Sequence, residues 1–270
     1  TMDAQRRVIE NGAVAIQGEA IVAVGSAADV ARAYPAAERI DASGHVVMPG
    51  LVNTHGHAPM VLYRGLADDM ALMDWLQQYI FPAEAKTVSP AFVRTGTRLA
   101  VLEMIQSGTT TYADMYYFQE EIAEVTRAAG LRGVLGQTII QFPVADAKTP
   151  AEGLARAAAY IARFKGDPLI VPAVSPHALY TNDATTLVAA RDLAIKERVP
   201  LLIHLAETAD EVRVAVERGA ASPTAYLESI GFFTGATTLA AHGVWVSAED
   251  IAVLQRRGVG VAHNPESNMK

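Results

Sequence analysis

The sequence predicts an α/β fold in which parallel strands and helices alternate around a (β/α)8 barrel. Hydrophobic residues make up 51% of the 270 residues and charged residues only 19%, which is typical of a compact α/β protein. From residue 46 onward, short apolar runs rich in β-forming residues alternate with helical patterns, as in successive βα units. Six of the seven histidines lie at or just beyond the ends of such runs, at the edge where barrel enzymes place their active sites.

Residues 1–48 differ from this pattern and are predicted to form part of a small β-subdomain. The run AVAIQGEAIVAVG contains two short β-like segments around Gly18, which indicates a hairpin. The following ADVARAYP is typical of a brief helix that ends at Pro35. These elements are too short to bury a core of their own.

Residues 49–270 carry the predicted barrel. A serine or threonine followed by proline marks the start of three helices, at Ser89, Thr149 and Ser222. Glycines such as Gly130 and Gly258 follow helical patterns and are typical of helix ends. Seven strands are predicted to end near Thr54, Asp114, Ile140, Ser175, Leu205, Ala241 and Ala262.

Seven strands are one fewer than a TIM-type barrel contains. The chain also starts at Thr1 rather than at a methionine, and it stops just after the seventh strand, at Lys270. We therefore expect an incomplete piece of a longer protein, from which the eighth strand is missing.

Charge and composition exclude several classes of partner. A formal net charge of −7, with no basic block, argues against a nucleic-acid partner. There is no cysteine, so a metal would be held by histidine and carboxylate side chains rather than by thiolates. No apolar run approaches the roughly 18 residues of a membrane helix, and no N-terminal signal pattern is present. The expected location is the cytoplasm, with no membrane contact.

The stretch 58–88 separates the first predicted strand from the first well-marked helix. An insertion of this length at the catalytic edge of a barrel is usually functional. It contains Trp75 and Glu84, which could reach over a bound ligand. For Trp75, packing within a lid is the alternative interpretation.

The strongest motif is His55-Gly56-His57. Alternate residues at the end of a strand point the same way, so both imidazoles can face one metal. Bonding of both rings to the backbone is the alternative. His204 and Glu207 form an H-x-x-E pair at the end of the fifth barrel strand, which suits activation of water by a metal while the carboxylate moves protons. A helix-dipole charge is the alternative for Glu207.

The remaining candidates leave more alternatives open. His242 ends the sixth barrel strand and could be a metal ligand, a donor to the attacked centre or a structural histidine. The proline before His177 favours a substrate contact over metal ligation. Asp114, at the end of the second barrel strand, is a candidate supporting carboxylate.

The segments PGLVNTHGH, HLAE and HNPESN, with the histidine after the sixth barrel strand, resemble the amidohydrolase superfamily. More narrowly, the chain is similar to its 5-methylthioadenosine/S-adenosylhomocysteine deaminases, close to the triazine-hydrolase branch. The resemblance covers nearly the whole chain. It implies hydrolytic deamination of an adenine nucleoside, a small-molecule substrate, to the inosine analogue and ammonia.

The resemblance also implies roles for individual residues. One divalent metal, with zinc favoured and iron the alternative, would be bound by His55, His57 and His204. Glu207 would shuttle protons and contact the substrate, and His242 would assist the attacked centre. Trp75 would line the nucleoside pocket, Glu84 would bond the ribose hydroxyls and His177 would contact the purine.

Two departures from the family pattern narrow the expectation. The family's fourth ligand is an aspartate that ends strand eight, which this chain lacks. Some members hold the carboxylate of S-adenosylhomocysteine with an arginine after strand three, and the stretch LGQTIIQFPVADAK offers none. This favours the methylthio substrate, although a homo-oligomer could lend an arginine from a neighbouring subunit. LIVPAVSPH, the fourth barrel strand, lacks the lysine that bridges two metals in binuclear hydrolases, which favours a single metal.

Two rival functions stay open. The same fold could hydrolyse another ring substituent, as guanine deaminases and triazine hydrolases do. Alternatively, the chain is an inactive ligand-binding fragment, because its eighth strand is missing.

Overall fold

The computed structural model describes residues 2, 4–35 and 38–269. It divides the chain into two compact units, Thr1–Gly50 and Leu51–Lys270.

The first unit contains an antiparallel hairpin and a short helix. Strand β1 (Gly12–Gln17) pairs with β2 (Ala20–Ser26). The turn between them places Gly18 at a φ of +59°, which a residue without a Cβ adopts without strain. The hydroxyl of Ser26 accepts a hydrogen bond from the backbone N–H of Asp29 and so caps helix α1 (Ala27–Ala33). The predicted hairpin and brief helix are confirmed.

The second unit is built on a parallel sheet of seven strands that lie side by side in chain order. They are β3 (Leu51–Asn53), β4 (Thr109–Tyr116), β5 (Arg132–Ile139), β6 (Ile170–Pro176), β7 (Leu201–Leu205), β8 (Thr238–His242) and β9 (Gly260–Ala262). Every predicted strand end falls within two residues of the observed one. A curled sheet of this order confirms the TIM-type α/β class.

Helices follow each strand of this sheet, and the longer ones among them pack against it. They are α2 (Leu72–Trp75), α3 (Phe81–Thr87), α4 (Pro90–Gln106), α5 (Gln119–Ala128), α6 (Pro150–Phe164), α7 (Ala184–Glu197), α8 (Ala209–Glu217), α9 (Pro223–Ser229), α10 (Ala248–Arg257) and α11 (Pro265–Asn268). Within the described residues, no helix is both long and apolar enough to cross a lipid bilayer.

The predicted helix boundaries are also observed. The hydroxyls of Ser89, Thr149 and Ser222 each accept a backbone N–H in the first turn of α4, α6 and α9. Gly258 caps the end of α10 in a left-handed conformation with a φ of +66°. Between sheet and helices lies an apolar core whose largest fully buried side chains include Phe164, Phe232, Ile139 and Leu135.

The segment 58–88, predicted as an insertion, is largely helical. A 3-10 turn (Ala58–Tyr63) follows the His-x-His motif, and α2 continues through one wider turn (Leu76–Ile80) into α3. A Cβ added to Gly96 in α4 would lie 2.5 Å from the carbonyl oxygen of Pro59. Glycine at this position therefore lets α4 approach the backbone that follows the motif.

Candidate functional site

A cavity of about 1040 Å³ opens at the carboxyl ends of the strands. The sequence analysis placed its candidate residues at this edge, and the structure brings them together there. The cavity is lined by His55, His57, Trp75, Glu84, His177, His204, Glu207 and His242, among others. A single concave site therefore collects every residue to which a catalytic, metal or substrate role was assigned.

The His-x-His turn is held by the end of β4. His57 donates its Nδ1–H to the carbonyl oxygen of Met115 at 2.6 Å, and the backbone N–H of Met115 donates to Gly56 at 3.1 Å. Asp114 accepts the backbone N–H of Ala58 at 2.5 Å, and burial raises the pKa of this carboxyl to about 7. Asp114 thus supports the turn, in line with the supporting role that the sequence suggested. It is not among the residues that line the cavity.

His204 is oriented in the same way from the other side of the cavity. Its Nδ1–H donates to the carbonyl oxygen of His177 at 2.8 Å, and its Nε2 lies 3.2 Å from Nε2 of His57. Since both rings donate from Nδ1, a neutral ring has its lone pair on Nε2. Two lone pairs therefore face each other at this distance.

Burial keeps these rings neutral. It lowers the pKa of His55 to about 2, and it also lowers the pKa of His57 and of His204 below the ordinary value for histidine. Neutral imidazoles are the form that binds metals.

This arrangement of donor atoms fits a cation. Two nitrogen ligands at the usual zinc distance and a tetrahedral angle lie about 3.3 Å apart, close to the observed spacing of the two Nε2 atoms. Donor atoms of His55, His204 and His242 also all lie within 4.8 Å of one another. The geometry therefore offers His57 or His242 as the third imidazole beside His55 and His204.

Glu207 and His242 lie next to each other in the cavity. Nε2 of His242 is 3.5 Å from Oε1 of Glu207. His242 has a φ of +80°, which is uncommon for a residue with a side chain. Its Nδ1 faces the side-chain amide of Asn268, and its carbonyl oxygen accepts the Nδ1–H of His263 at 3.1 Å. His263 thus supports His242 through the backbone.

On another wall of the cavity, Glu84 is buried against two tyrosines. The hydroxyl of Tyr116 donates to Oε1 at 2.7 Å, and that of Tyr117 donates to Oε2 at 3.5 Å. Burial raises the pKa of Glu84 to about 7. The sequence analysis missed both tyrosines, although their position directly after the strand end at Asp114 was a usable signal.

Trp75 lies in the cavity wall with its indole N–H donated to the carbonyl oxygen of Leu66 at 2.9 Å. This residue thus packs against the segment that precedes it and also lines the cavity, and its contact with a substrate stays a prediction. Trp245, which follows β8, also lines the cavity and is 52% exposed. The sequence analysis missed Trp245.

Comparison with known proteins gives the following matches. Residues 46–270 match the model of the amidohydrolase family, and residues 12–37 match a model described as an imidazolonepropionase-like composite domain of bacteria. The chain is 45% identical to a 5-methylthioadenosine/S-adenosylhomocysteine deaminase of Thermodesulfovibrio yellowstonii and 48% identical to one of Syntrophobacter fumaroxidans. Both alignments cover 100% of this chain. The chain spans 62% and 61% of the length of these two relatives.

A solved structure has a similar fold. The crystal structure of an adenosine deaminase from Xanthomonas campestris with bound zinc superposes with a TM-score of 0.89 at 38% identity. The match covers 98% of this chain and 60% of that protein.

Proposed function

The chain belongs to the amidohydrolase family, and on this premise we propose that it carries the metal-binding and catalytic residues of an adenine-nucleoside deaminase. The reaction replaces the 6-amino group by oxygen from water and releases ammonia. The observation that carries the proposal is the pair of facing Nε2 atoms, on His57 and His204, with Glu207 lining the same cavity. The relatives named as deaminases support the choice of reaction.

In this proposal one divalent cation, with zinc favoured, is held by His55, His57 and His204. When bound, the cation would supply Lewis acidity, which lowers the pKa of water towards neutral pH. His57 and His204 are fixed by their bonds to the Met115 and His177 carbonyls, and such outer contacts orient ligands in metal sites. Because these three histidines are the proposed ligands, His242 is not a ligand in this proposal. Its proposed role is to donate a hydrogen bond to the oxygen that adds to the attacked carbon.

Glu207 is the proposed proton carrier. Its carboxylate takes a proton from the attacking water and delivers it to N1 of the purine. Protonation of N1 makes C6 more electrophilic, so that the C6–O bond can form. His242 is proposed to act beside Glu207 at the attacked carbon, because its Nε2 lies 3.5 Å from Oε1 of Glu207. The remaining proton of the new hydroxyl then passes to the amino group, the C6–N bond breaks as C6=O forms, and ammonia departs, so that one water is consumed for each ammonia released.

The charge of the cavity favours a 5′ substituent without a negative charge. Among the described residues that line the cavity, Arg64 is the single lysine or arginine. Its guanidinium is bound to both carboxylate oxygens of Glu103, at 3.0 and 2.7 Å. Asp68, Asp69 and Glu266 line the same cavity. We therefore propose 5′-methylthioadenosine rather than S-adenosylhomocysteine as the better substrate.

Ammonia release by the zinc-loaded full-length protein tests the proposal. We expect kcat/KM for 5′-methylthioadenosine to exceed that for S-adenosylhomocysteine by about tenfold or more, because among the described cavity residues the one arginine is already paired with Glu103 and leaves the homocysteine carboxylate without a cationic partner. Guanine and a chlorinated triazine are the comparison substrates. Faster turnover of either would assign the site to one of the rival reactions, and zinc binding without any turnover would indicate a ligand-binding role.

Glu84 provides a second test, directed at the sugar. An ionised carboxylate can accept hydrogen bonds from both hydroxyls of a cis-diol. Because its pKa is about 7, Glu84 is protonated at pH 6 and ionised at pH 8. If the ionised form binds, KM for 5′-methylthioadenosine should rise roughly tenfold between pH 8 and pH 6.

The 2′-deoxy analogue and Glu84→Gln are the controls for this experiment. Both should show a KM that changes little over the same pH range, and the variant should lose the preference for ribose over deoxyribose. An unchanged ribose preference in Glu84→Gln would leave Glu84 with a purely supporting role in the lid.

A further inference from the structure

The residue Glu211, three positions into the start of α8, departs from the helix cap that the sequence predicts. The pattern Thr208-Ala-Asp-Glu211 is that of a capping box, in which the glutamate carboxylate would bond the backbone N–H of Thr208. Half of the box is present, because Thr208 Oγ1 accepts the N–H of Glu211 at 3.3 Å. The carboxylate, however, reaches further back, and Oε2 accepts the N–H of Glu207 at 2.9 Å.

The turn that receives these bonds has an unusual conformation. Ala206 has a φ of +51°, which is unfavourable for a residue with a Cβ and persists only where the surroundings fix it. Its carbonyl oxygen accepts the backbone N–H groups of Val244 and Trp245 at 3.0 and 2.9 Å. The carboxylate of Glu211 holds the N–H side of the same turn, and Glu211 is only 1% exposed. The direction in which Glu207 leaves the backbone therefore depends on bonds from both sides.

The same contact, between a glutamate carboxylate and the backbone N–H four residues earlier, occurs at a second helix of the chain, away from the cavity. At the start of α6, Glu152 accepts the backbone N–H of Lys148 at 2.6 Å, one residue before the cap Thr149. Both Glu152 and Lys148 are exposed, and neither lines the cavity. Glu152 is thus a matched reference for the purely helix-capping contribution of such a contact.

We propose that Glu211 is a positioning residue for Glu207: its buried carboxylate fixes the left-handed turn at Ala206 and so aims the Glu207 side chain at the reacting atoms. This inference rests on the proposed role of Glu207 as proton carrier. Glu211 itself does not touch the substrate. Its loss should therefore lower the rate of the chemical step and not the binding of the nucleoside.

Kinetics of the zinc-loaded full-length protein test the inference first. In Glu211→Ala we expect kcat to fall by about 10- to 100-fold, the scale of a misplacement near 1 Å, with KM within about threefold of the parent value. Glu211→Gln keeps an acceptor oxygen and should recover most of kcat, to within about fivefold of the parent, since neutral hydrogen bonds are roughly half as strong as charged ones. Glu152→Ala should lower the melting temperature but leave kcat unchanged.

Hydrogen exchange of the zinc-free protein gives a readout that does not depend on activity. The backbone amide of Glu207 should exchange faster in Glu211→Ala than in the parent, whereas those of β7 should not. Glu152→Ala should have its effect at Lys148 and leave Ala206 and Glu207 unchanged. If Glu211→Ala is poorly folded, the exchange rates of Glu211→Gln are compared with those of the parent instead, and a smaller increase in rate is expected.

The outcomes separate this inference from the proposed function. Unaltered exchange at the Glu207 amide in both Glu211 variants would overturn it, as would a normal kcat in Glu211→Ala beside a strongly impaired Glu207→Gln. A fall in kcat that Glu152→Ala reproduces would also overturn it, by reducing Glu211 to an ordinary cap. If no nucleoside is deaminated by the parent protein, the proposed function fails, and the exchange data alone decide whether Glu211 holds the turn.

Discussion

Replacing Glu207 by glutamine is expected to lower kcat for nucleoside deamination by roughly 10²–10⁴-fold, as is usual when a general acid–base group is lost. Glutamine has nearly the shape of glutamate but carries no proton at neutral pH that it could exchange with water and substrate. Zinc should stay bound at its parental level, because the ligands proposed for it are His55, His57 and His204. Single-turnover kinetics and metal analysis on the same preparation measure both effects.

A matched control for this experiment is Glu84→Gln, which removes a second carboxylate that lines the same cavity. That variant should act mainly on KM for the ribonucleoside. Loss of zinc in Glu207→Gln would contradict the assignment and make Glu207 a ligand instead of a proton carrier.

The substitutions His57→Ala and His242→Ala are expected to have opposite signatures. Both rings lie close to His204 in the candidate metal site, and the distances between donor atoms allow either ring to be the third ligand. If His57 is the ligand, His57→Ala should weaken zinc binding by more than roughly 100-fold, since even the loss of an outer contact costs 10–100-fold. His242→Ala should keep its zinc and lose activity, because it removes only the donor to the attacked centre.

Zinc titration against a chelator of known affinity, followed by an activity assay at saturating zinc, distinguishes the two rings. The reverse pattern, with zinc lost from His242→Ala and retained in His57→Ala, would transfer the third ligand position to His242. Equal losses in both variants would indicate that four imidazoles share the cation.

The periodic features of the sequence predicted most of the fold. Strand ends such as Leu205 and Ala262 could be located because buried parallel strands are short apolar runs with sharp boundaries. Helix starts at Ser89, Thr149 and Ser222 followed from local hydrogen bonding that needs no tertiary partner. The helical character of 58–88 was missed because its segments are too short to show a helical periodicity in the sequence.

The candidate site was predictable to the extent that it follows strand ends. His55, His204 and His242 all occupy such positions, and a parallel sheet places them at one edge. The contacts that orient these rings were not predictable, because backbone carbonyls such as those of Met115 and His177 carry no sequence signal. The role of Glu211 was hidden for a related reason: its sequence pattern is that of an ordinary cap, and only the conformation of Ala206 redirects the carboxylate.

The facing imidazoles of His57 and His204 also couple the fold to its ionic environment. They belong to segments 147 residues apart in the chain, and without a cation the repulsion between their lone pairs opposes the approach of those segments. A cation that binds only the folded chain turns this local repulsion into a crosslink, and at a thousandfold excess over its dissociation constant it adds about 4 kcal/mol to the free energy of unfolding. Binding of the cation and folding would thereby be coupled, so that the free energy of unfolding rises with the concentration of the free metal.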